Sequence, residues 1–223
     1  MPVKKQKDIK FRKQQLKLLS KSIKHHENEI LEALQKDLGK SNVEAYATEI
    51  GILLKSIKLA RKELKNWSKT KQVDTPLYLF PTKSYIKKDP YGTVLIIGPF
   101  NYPVQLTFEP LIGAIAAGNT AIIKPSELTP HVSSVIRKIV EDVYKPDYIA
   151  VVEGGIEETD HLIHLPFDYM FFTGSDKVGK IVYQLDGKDV ATVNLQALED
   201  VQEGGFLGKG WDWLVLTVKG LFD

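Results

Sequence analysis

With 223 residues, 43% hydrophobic and 26% charged, the chain has ordinary globular composition and enough length to bury the core of one or two domains, which excludes disordered and collagenous classes. The absence of cysteine excludes a disulfide framework and fits the cytosol, the compartment expected here. The net charge of +2 conceals an asymmetry, because residues 1–72 hold 18 Lys+Arg against 8 Asp+Glu and the remainder 12 against 20.

The opening Met-Pro-Val-Lys-Lys-Gln-Lys-Asp-Ile-Lys leads into no apolar h-region, so no secretory signal is expected. No run approaches the roughly 18 apolar residues of a membrane-spanning helix, and none is expected. From Asp8 to Leu38, the residues Ile9, Leu16, Leu19, Ile23, Ile30 and Leu34 recur at helical spacing. A second helical stretch starts near Ser41 or Asn42, either of which can cap it, and carries Ile50, Leu53, Leu54, Ile57, Leu59 and Leu64. The lysines of this basic third alternate with those apolar residues, which reads as the wet face of amphipathic helices. With no aromatic base-stacking set among them, no nucleic-acid partner is expected.

Residues 72–89 contain two prolines among β-favouring residues and read as extended edge structure with a connecting turn. Beyond Pro90, short apolar runs alternate with helical segments, the pattern of an α/β fold. The expected strands are Thr93–Ile97, Thr120–Ile123, Tyr148–Val152 and Tyr169–Phe172. The expected helices are Gln105–Ala117, His131–Val143, Glu157–His164 and Asp176–Gln184. Crossovers of this length imply parallel strands, hence a doubly wound, Rossmann-like sheet preceded by an N-terminal helical segment. The expected organisation is helices over 1–72, an extended arm over 73–89, an α/β domain over 90–184 and a divergent tail over 185–223. Within the tail, Trp211, Trp213, Leu214, Leu216 and Val218 read as a short strand or an amphipathic end.

Ligands of open parallel sheets sit beyond the carboxyl ends of the strands, so the residues just after strands carry the chemistry. Four polar groups fall there: Asn101, Lys124, Glu127 and Ser175. Asn101 lies in Gly98-Pro-Phe-Asn-Tyr-Pro103, where prolines and aromatic neighbours hold the amide rigid enough to stabilise an oxyanion, an interaction worth about 3 kcal/mol. Lys124 and Glu127, three apart, offer one donor and one acceptor to the same small region, a combination suited to ribose hydroxyls. Phe172-Thr-Gly-Ser175 ends a strand and opens the expected helix, directing backbone N–H groups at an anion such as a pyrophosphate. No Gly-x-Ser-x-Gly elbow is present. His25, His26, His131, His161 and His164 form no metal set and read as surface residues.

Together, Pro90–Pro103, Lys124-Pro-Ser-Glu-Leu-Thr-Pro130 and Phe172-Thr-Gly-Ser-Asp-Lys-Val-Gly179 resemble the aldehyde dehydrogenase superfamily. The branch most similar is class 3-like, acting on fatty and aromatic aldehydes. Leu31–Lys40, Leu111–Thr120 and Val151–Gly155 extend the resemblance to Gln184. It implies NAD(P)-dependent oxidation of a small-molecule aldehyde, a homodimer, and an incomplete form of that family's fold. Asn101 then faces the thiohemiacetal oxygen, while Ile97, Pro99, Lys124, Ser126, Glu127, Gly174, Ser175 and Val178 contact the cofactor, Val178 with Gly179 through helix packing. The acidic Glu127 favours NAD, with NADP as the alternative. The family's Glu-Leu-Gly-Gly motif and nucleophilic Cys are missing, and Glu199 and Glu203 stand in the wrong context to replace the base. Thiolate attack and thioester hydrolysis need that pair, so this polypeptide alone is expected to be inactive. The alternative is a non-catalytic NAD-binding module or interaction protein.

Overall fold

The computed structural model describes residues 8–174, 180–185 and 188–194. Contacts divide the chain into two units, Met1–Thr173 and Gly174–Asp223.

In the first unit, α1 (Ile9–His25) begins at Asp8, whose carboxylate accepts from Lys10 N at 2.9 Å. Leu16, Leu19 and Ile23 are fully buried at the predicted spacing. The chain breaks at His26 into α2 (Glu27–Leu38), which ends where Gly39 turns left-handed at φ 67°. His26 departs from the expected surface role, since it is buried between carboxylates of two other helical segments. Ser41 caps α3 (Asn42–Ala45), which runs through a π turn, Tyr46–Ile50, into α4 (Gly51–Trp67). The face that α4 buries carries Leu53, Ile57, Ala60 and Leu64. Ala60 therefore occupies the inward position next to Leu59, which is 53% exposed.

Over the expected extended segment, β1 (Lys71–Val73) and β2 (Ser84–Ile86) pair antiparallel, with Leu77, Tyr78 and Phe80 exposed between them. The main sheet comprises β3 (Thr93–Ile97), β4 (Thr120–Lys124), β5 (Ile149–Val151) and β6 (Tyr169–Phe172), all parallel in the order β5-β4-β3-β6. The connections are α5 (Gln105–Ala117), α6 (Pro130–Glu141) and α7 (Ile156–Ile163). These bounds match the expected ones to within two residues, because each strand is a short, largely apolar run and each helix is flanked by Pro or Gly. The chain winds outward from β3 to β5, then returns to the far side of β3, so the winding direction reverses between β3 and β6. With right-handed crossovers, α5 and α6 share one face of the sheet and α7 takes the other. Helices α1, α2 and α4 pack over α5 and α6, and one hydrophobic core runs through both layers.

Neither α5 nor α6 has a capping side chain next to it in sequence. Distant carboxylates do the work instead. Glu49 Oε2 accepts from Val104 N at 2.8 Å and Gln105 N at 3.1 Å, and Asp37 Oδ2 accepts from Val132 N at 2.9 Å. Each carboxylate satisfies N–H groups that a helix start leaves unpaired and meets the positive end of the helix dipole. The N-terminal helices are thus joined to the crossovers by charge as well as by apolar packing.

The second unit contains β7 (Lys180–Leu185) and β8 (Lys188–Asn194), paired antiparallel. This overturns the helix expected over Asp176–Gln184 for its residues 180–184. Ile181, Val182 and Tyr183 favour a strand, and the sequence between the strands, Asp186-Gly187, is a strong hairpin signal. Ser175, Val178, Gly179 and the aromatic tail around Trp211 lie outside the described residues. Among the described residues no helix is long and apolar enough to cross a membrane.

Candidate functional site

Strand register brings the predicted turns to one edge. Ile97 stands level with Lys124 on one side and Phe172 on the other. Gly98 N donates to Lys124 O at 3.0 Å, Thr173 N to Ile97 O at 3.2 Å and Val152 N to Ile123 O at 2.8 Å. Gly98 is required for close approach: a Cβ there would lie 2.1 Å from Thr107 Oγ1 on α5. That hydroxyl is buried without a hydrogen-bond partner. Pro99 is buried beside Gly98, as a turn leaving the sheet at this point requires.

The turn after β4 is self-contained. Lys124 is 1% exposed, yet its Nζ donates to Glu127 Oε2 at 2.9 Å and Pro125 O at 3.0 Å. Burial opposes ionisation of Glu127, but its own backbone N–H and the Lys124 ammonium hold its pKa below the usual carboxylate range. Ser126 is buried, its hydroxyl accepting from Leu128 N at 3.2 Å while its carbonyl accepts from Ser133 Oγ at 2.8 Å. The result is a fixed cation in the floor of the turn and a carboxylate at its surface, where a ligand hydroxyl can accept from one and donate to the other.

Beside this turn, Val152, Glu157, Glu158, His161 and Leu162 line a cleft of about 350 Å³. Gly154, at φ 145°, admits Glu158 so closely that a Cβ would sit 2.5 Å from the carboxylate. Glu158 Oε2 accepts from Gly155 N at 2.6 Å. Backbone N–H groups of Glu158 and Gly155, with a smaller contribution from the Lys124 charge, keep that carboxyl below its usual range. Because Val152 N donates to Ile123 O, one residue before Lys124, the Lys124 turn and the cleft are neighbours. No local sequence motif singles out Val152, Glu158 or Leu162 as site residues. The signal available was their position just past β5.

Asn101 lies in the turn between β3 and α5 and is exposed. Its Oδ1 accepts from Tyr102 N at 3.0 Å, so the Nδ2 donor is the free half of the amide. Its backbone carbonyl accepts from Lys40 Nζ at 2.9 Å, and the same ammonium meets Glu49 Oε1 at 2.6 Å. Lys40 and Glu49 were not read from sequence as site residues, since contacts spanning tens of residues leave no local pattern. Ile97, Pro99, Lys124, Ser126 and Glu127 thus fall on one rim, and Asn101 stands in an adjoining turn with its own support. Gly174 follows Thr173 in the chain, while Ser175 and Val178 are outside the described residues.

A parallel sheet whose winding reverses beside a polar rim is the architecture of nucleotide-binding α/β proteins. The chain belongs to the aldehyde dehydrogenase family, whose sequence profile matches residues 2–197 and so extends beyond Gln184. That family comprises oxidoreductases acting on aldehydes. The chain is 73% identical over 190 residues to the 4,4'-diaponeurosporen-aldehyde dehydrogenase of Staphylococcus aureus, a match covering 85% of this chain and 41% of that protein. It is 41% identical over 186 residues to aldehyde dehydrogenase family 3 member H1 of Arabidopsis thaliana, covering 83% of this chain and 38% of the relative. Among solved structures, substrate-bound AldH of Staphylococcus aureus superposes with TM-score 0.77 at 75% identity, over 78% of this chain and 38% of the other. The chain therefore spans about two fifths of the length of these relatives. Other matched structures are complexes with NAD+ or NADP.

Proposed function

We propose that the chain is the nicotinamide-dinucleotide-binding portion of an NAD(P)-dependent aldehyde dehydrogenase. The observation that carries this reading is the buried Lys124 ammonium held against Glu127 at the end of β4, next to an open cleft. The donor set fits the ligand. Lys124 and Glu127 bind the adenosine ribose hydroxyls, Val152 and Leu162 offer apolar wall to the base, and Ile97, Pro99 and Ser126 shape the rim. A surface carboxylate at the ribose accepts a free 2′-hydroxyl and repels a 2′-phosphate, which favours NAD over NADP. When bound, the nicotinamide supplies the hydride acceptor for aldehyde oxidation. Asn101 Nδ2 donates to the oxyanion that develops on the substrate carbonyl.

The S. aureus relative named a 4,4'-diaponeurosporen-aldehyde dehydrogenase points to an aldehyde of that kind as substrate. The exposed Leu77, Tyr78 and Phe80 on the 73–89 arm supply an apolar surface for a homodimer contact. No cysteine occurs in the 223 residues, so the thiol nucleophile is not among them, and we propose that this chain alone does not turn aldehydes over. A second reading, a non-catalytic NAD-binding module, is favoured by the same lack of a thiol beside a complete ribose site. Calorimetric titration tests the shared core of both readings: NAD binds wild type more tightly than NADP does, and Lys124→Ala/Glu127→Ala abolishes binding. A silent titration with wild type contradicts both. An assay for aldehyde-dependent NADH formation by pure chain is expected to show none, and steady turnover refutes inactivity.

A further inference from the structure

Lys40 is the single residue between the left-handed Gly39 that ends α2 and the Ser41 that caps α3, so its backbone is fixed from both sides. Its ammonium is pulled into the protein and makes three contacts. It donates to Glu49 Oε1 at 2.6 Å and to the Asn101 carbonyl at 2.9 Å, and it lies 4.1 Å from the centre of the Tyr102 ring. Glu49 is fully buried, and its other oxygen accepts from Val104 N and Gln105 N. One carboxylate therefore fixes both the cation that holds Asn101 and the start of the helix that follows it.

We propose that Lys40 is a positioning residue for Asn101, with Glu49 orienting Lys40, so that the N-terminal helices aim the Asn101 amide. The proposal rests on the reading of Asn101 as an oxyanion donor and extends it. The turn Gly98–Pro103 has an Asn whose Oδ1 is tied to the next backbone N–H, but that bond alone leaves the peptide plane free to rotate about its flanking dihedrals. The Lys40 bond to the carbonyl removes this freedom, and the cation over the Tyr102 ring fixes the following residue. Nδ2 is then presented in one direction before any ligand arrives, which is what makes a donor effective toward a developing oxyanion. Glu49 is essential to the device because an ammonium this buried requires a paired carboxylate.

The test uses nuclear magnetic resonance on the full 223-residue chain, comparing wild type with Lys40→Met and Lys40→Arg. Methionine keeps the apolar stem over Tyr102 and removes only the charge and donors. In Lys40→Met, the Asn101 Nδ2 resonances are expected to shift and broaden and Tyr102 amide exchange to accelerate about tenfold, the effect of losing one charge-assisted bond. Core amides such as Ile96 are expected to keep their protection, and Lys40→Arg to restore the wild-type Asn101 signals. Unchanged Asn101 and Tyr102 signals in Lys40→Met overturn the proposal. Should Lys40→Met fail to fold, wild type decides: nuclear Overhauser contacts from the Lys40 ε-methylene to the Tyr102 ring support it, and their absence overturns it. Acetate, titrated into wild type as an oxyanion probe, tests the parent reading separately. A shift of Asn101 Nδ2 that weakens about tenfold in Lys40→Met supports both claims. No acetate response in wild type removes the donor role and with it this extension, whereas a response unaffected by Lys40→Met removes the positioning role alone.

Discussion

The two turns of the candidate site are held in opposite ways. Lys124-Pro-Ser-Glu127 is stabilised from within four residues, the lysine donating to the Glu127 carboxylate and the Pro125 carbonyl. The Asn101 turn is stabilised from outside the sheet by Lys40 and Glu49, delivered by the N-terminal helices. The difference teaches that the geometry of the Lys124 turn is set largely within the α/β layer, while that of the Asn101 turn depends on the packing of two layers.

The largest effect is expected from Glu49→Ala, which leaves the Lys40 ammonium buried without its partner and α5 without its cap. Urea denaturation should show a loss of about 3–5 kcal/mol, and a loss near zero breaks the claim that this carboxylate joins the layers. Asp37→Ala removes the corresponding cap from α6 and is expected to cost about 2 kcal/mol by the same measurement. Glu49 serves a buried cation as well as a helix start, so Asp37 must be the milder of the two, and the reverse order contradicts the assignment. Lys124→Ala is expected to cost only about 1 kcal/mol, because its partner Glu127 has a side chain 44% exposed.

The smallest effect concerns His26, which ties α2 to the end of α6. Its Nδ1 lies 2.6 Å from Glu29 Oε1 and its Nε2 2.6 Å from Asp142 Oδ2, and carboxylates accept on both sides only if both ring nitrogens carry protons. Burial opposes the charge, but the hydrogen bonds to Asp142 and Glu29 outweigh it and raise the His26 pKa. Lys138, then His26, lower Glu29 to about 2. A raised histidine contributes stability that is complete below about pH 6.5 and is lost as pH rises through its folded value. The lowered Glu29 contributes stability that is present above its ordinary pKa and is lost as pH falls toward about 2. Denaturation as a function of pH should therefore show wild type weakening on the alkaline side by less than about 1 kcal/mol, a change absent from His26→Gln. Identical pH profiles for the two proteins refute the imidazolium.

Legibility in the sequence followed the same division. Strands β3 and β6 and helix α5 had their expected bounds because apolar runs and Pro/Gly punctuation are local signals. Lys124 and Glu127 were legible because three residues after a strand is already a geometry. Lys40, Glu49 and Asp37 were not, since each acts on a helix start that the fold, not the sequence, brings near. Leu59 has the right residue type for the core, but the face chosen by α4 passes through Ala60. The helix expected over 176–184 gave way to a strand across 180–184 because Ile181, Val182 and Tyr183 pair with β8. The burial of His26 has no local sequence signal, because one of its carboxylate partners, Asp142, comes from a distant helix end.

Amide hydrogen exchange of the full chain with and without NAD tests the central claim most directly, because it reports which backbone segments a ligand orders. Slower exchange confined to residues 124–129 and 152–162 is the predicted result. Protection that appears only elsewhere, or that is unchanged by saturating NAD, contradicts the placement of a dinucleotide at the mouth of this sheet.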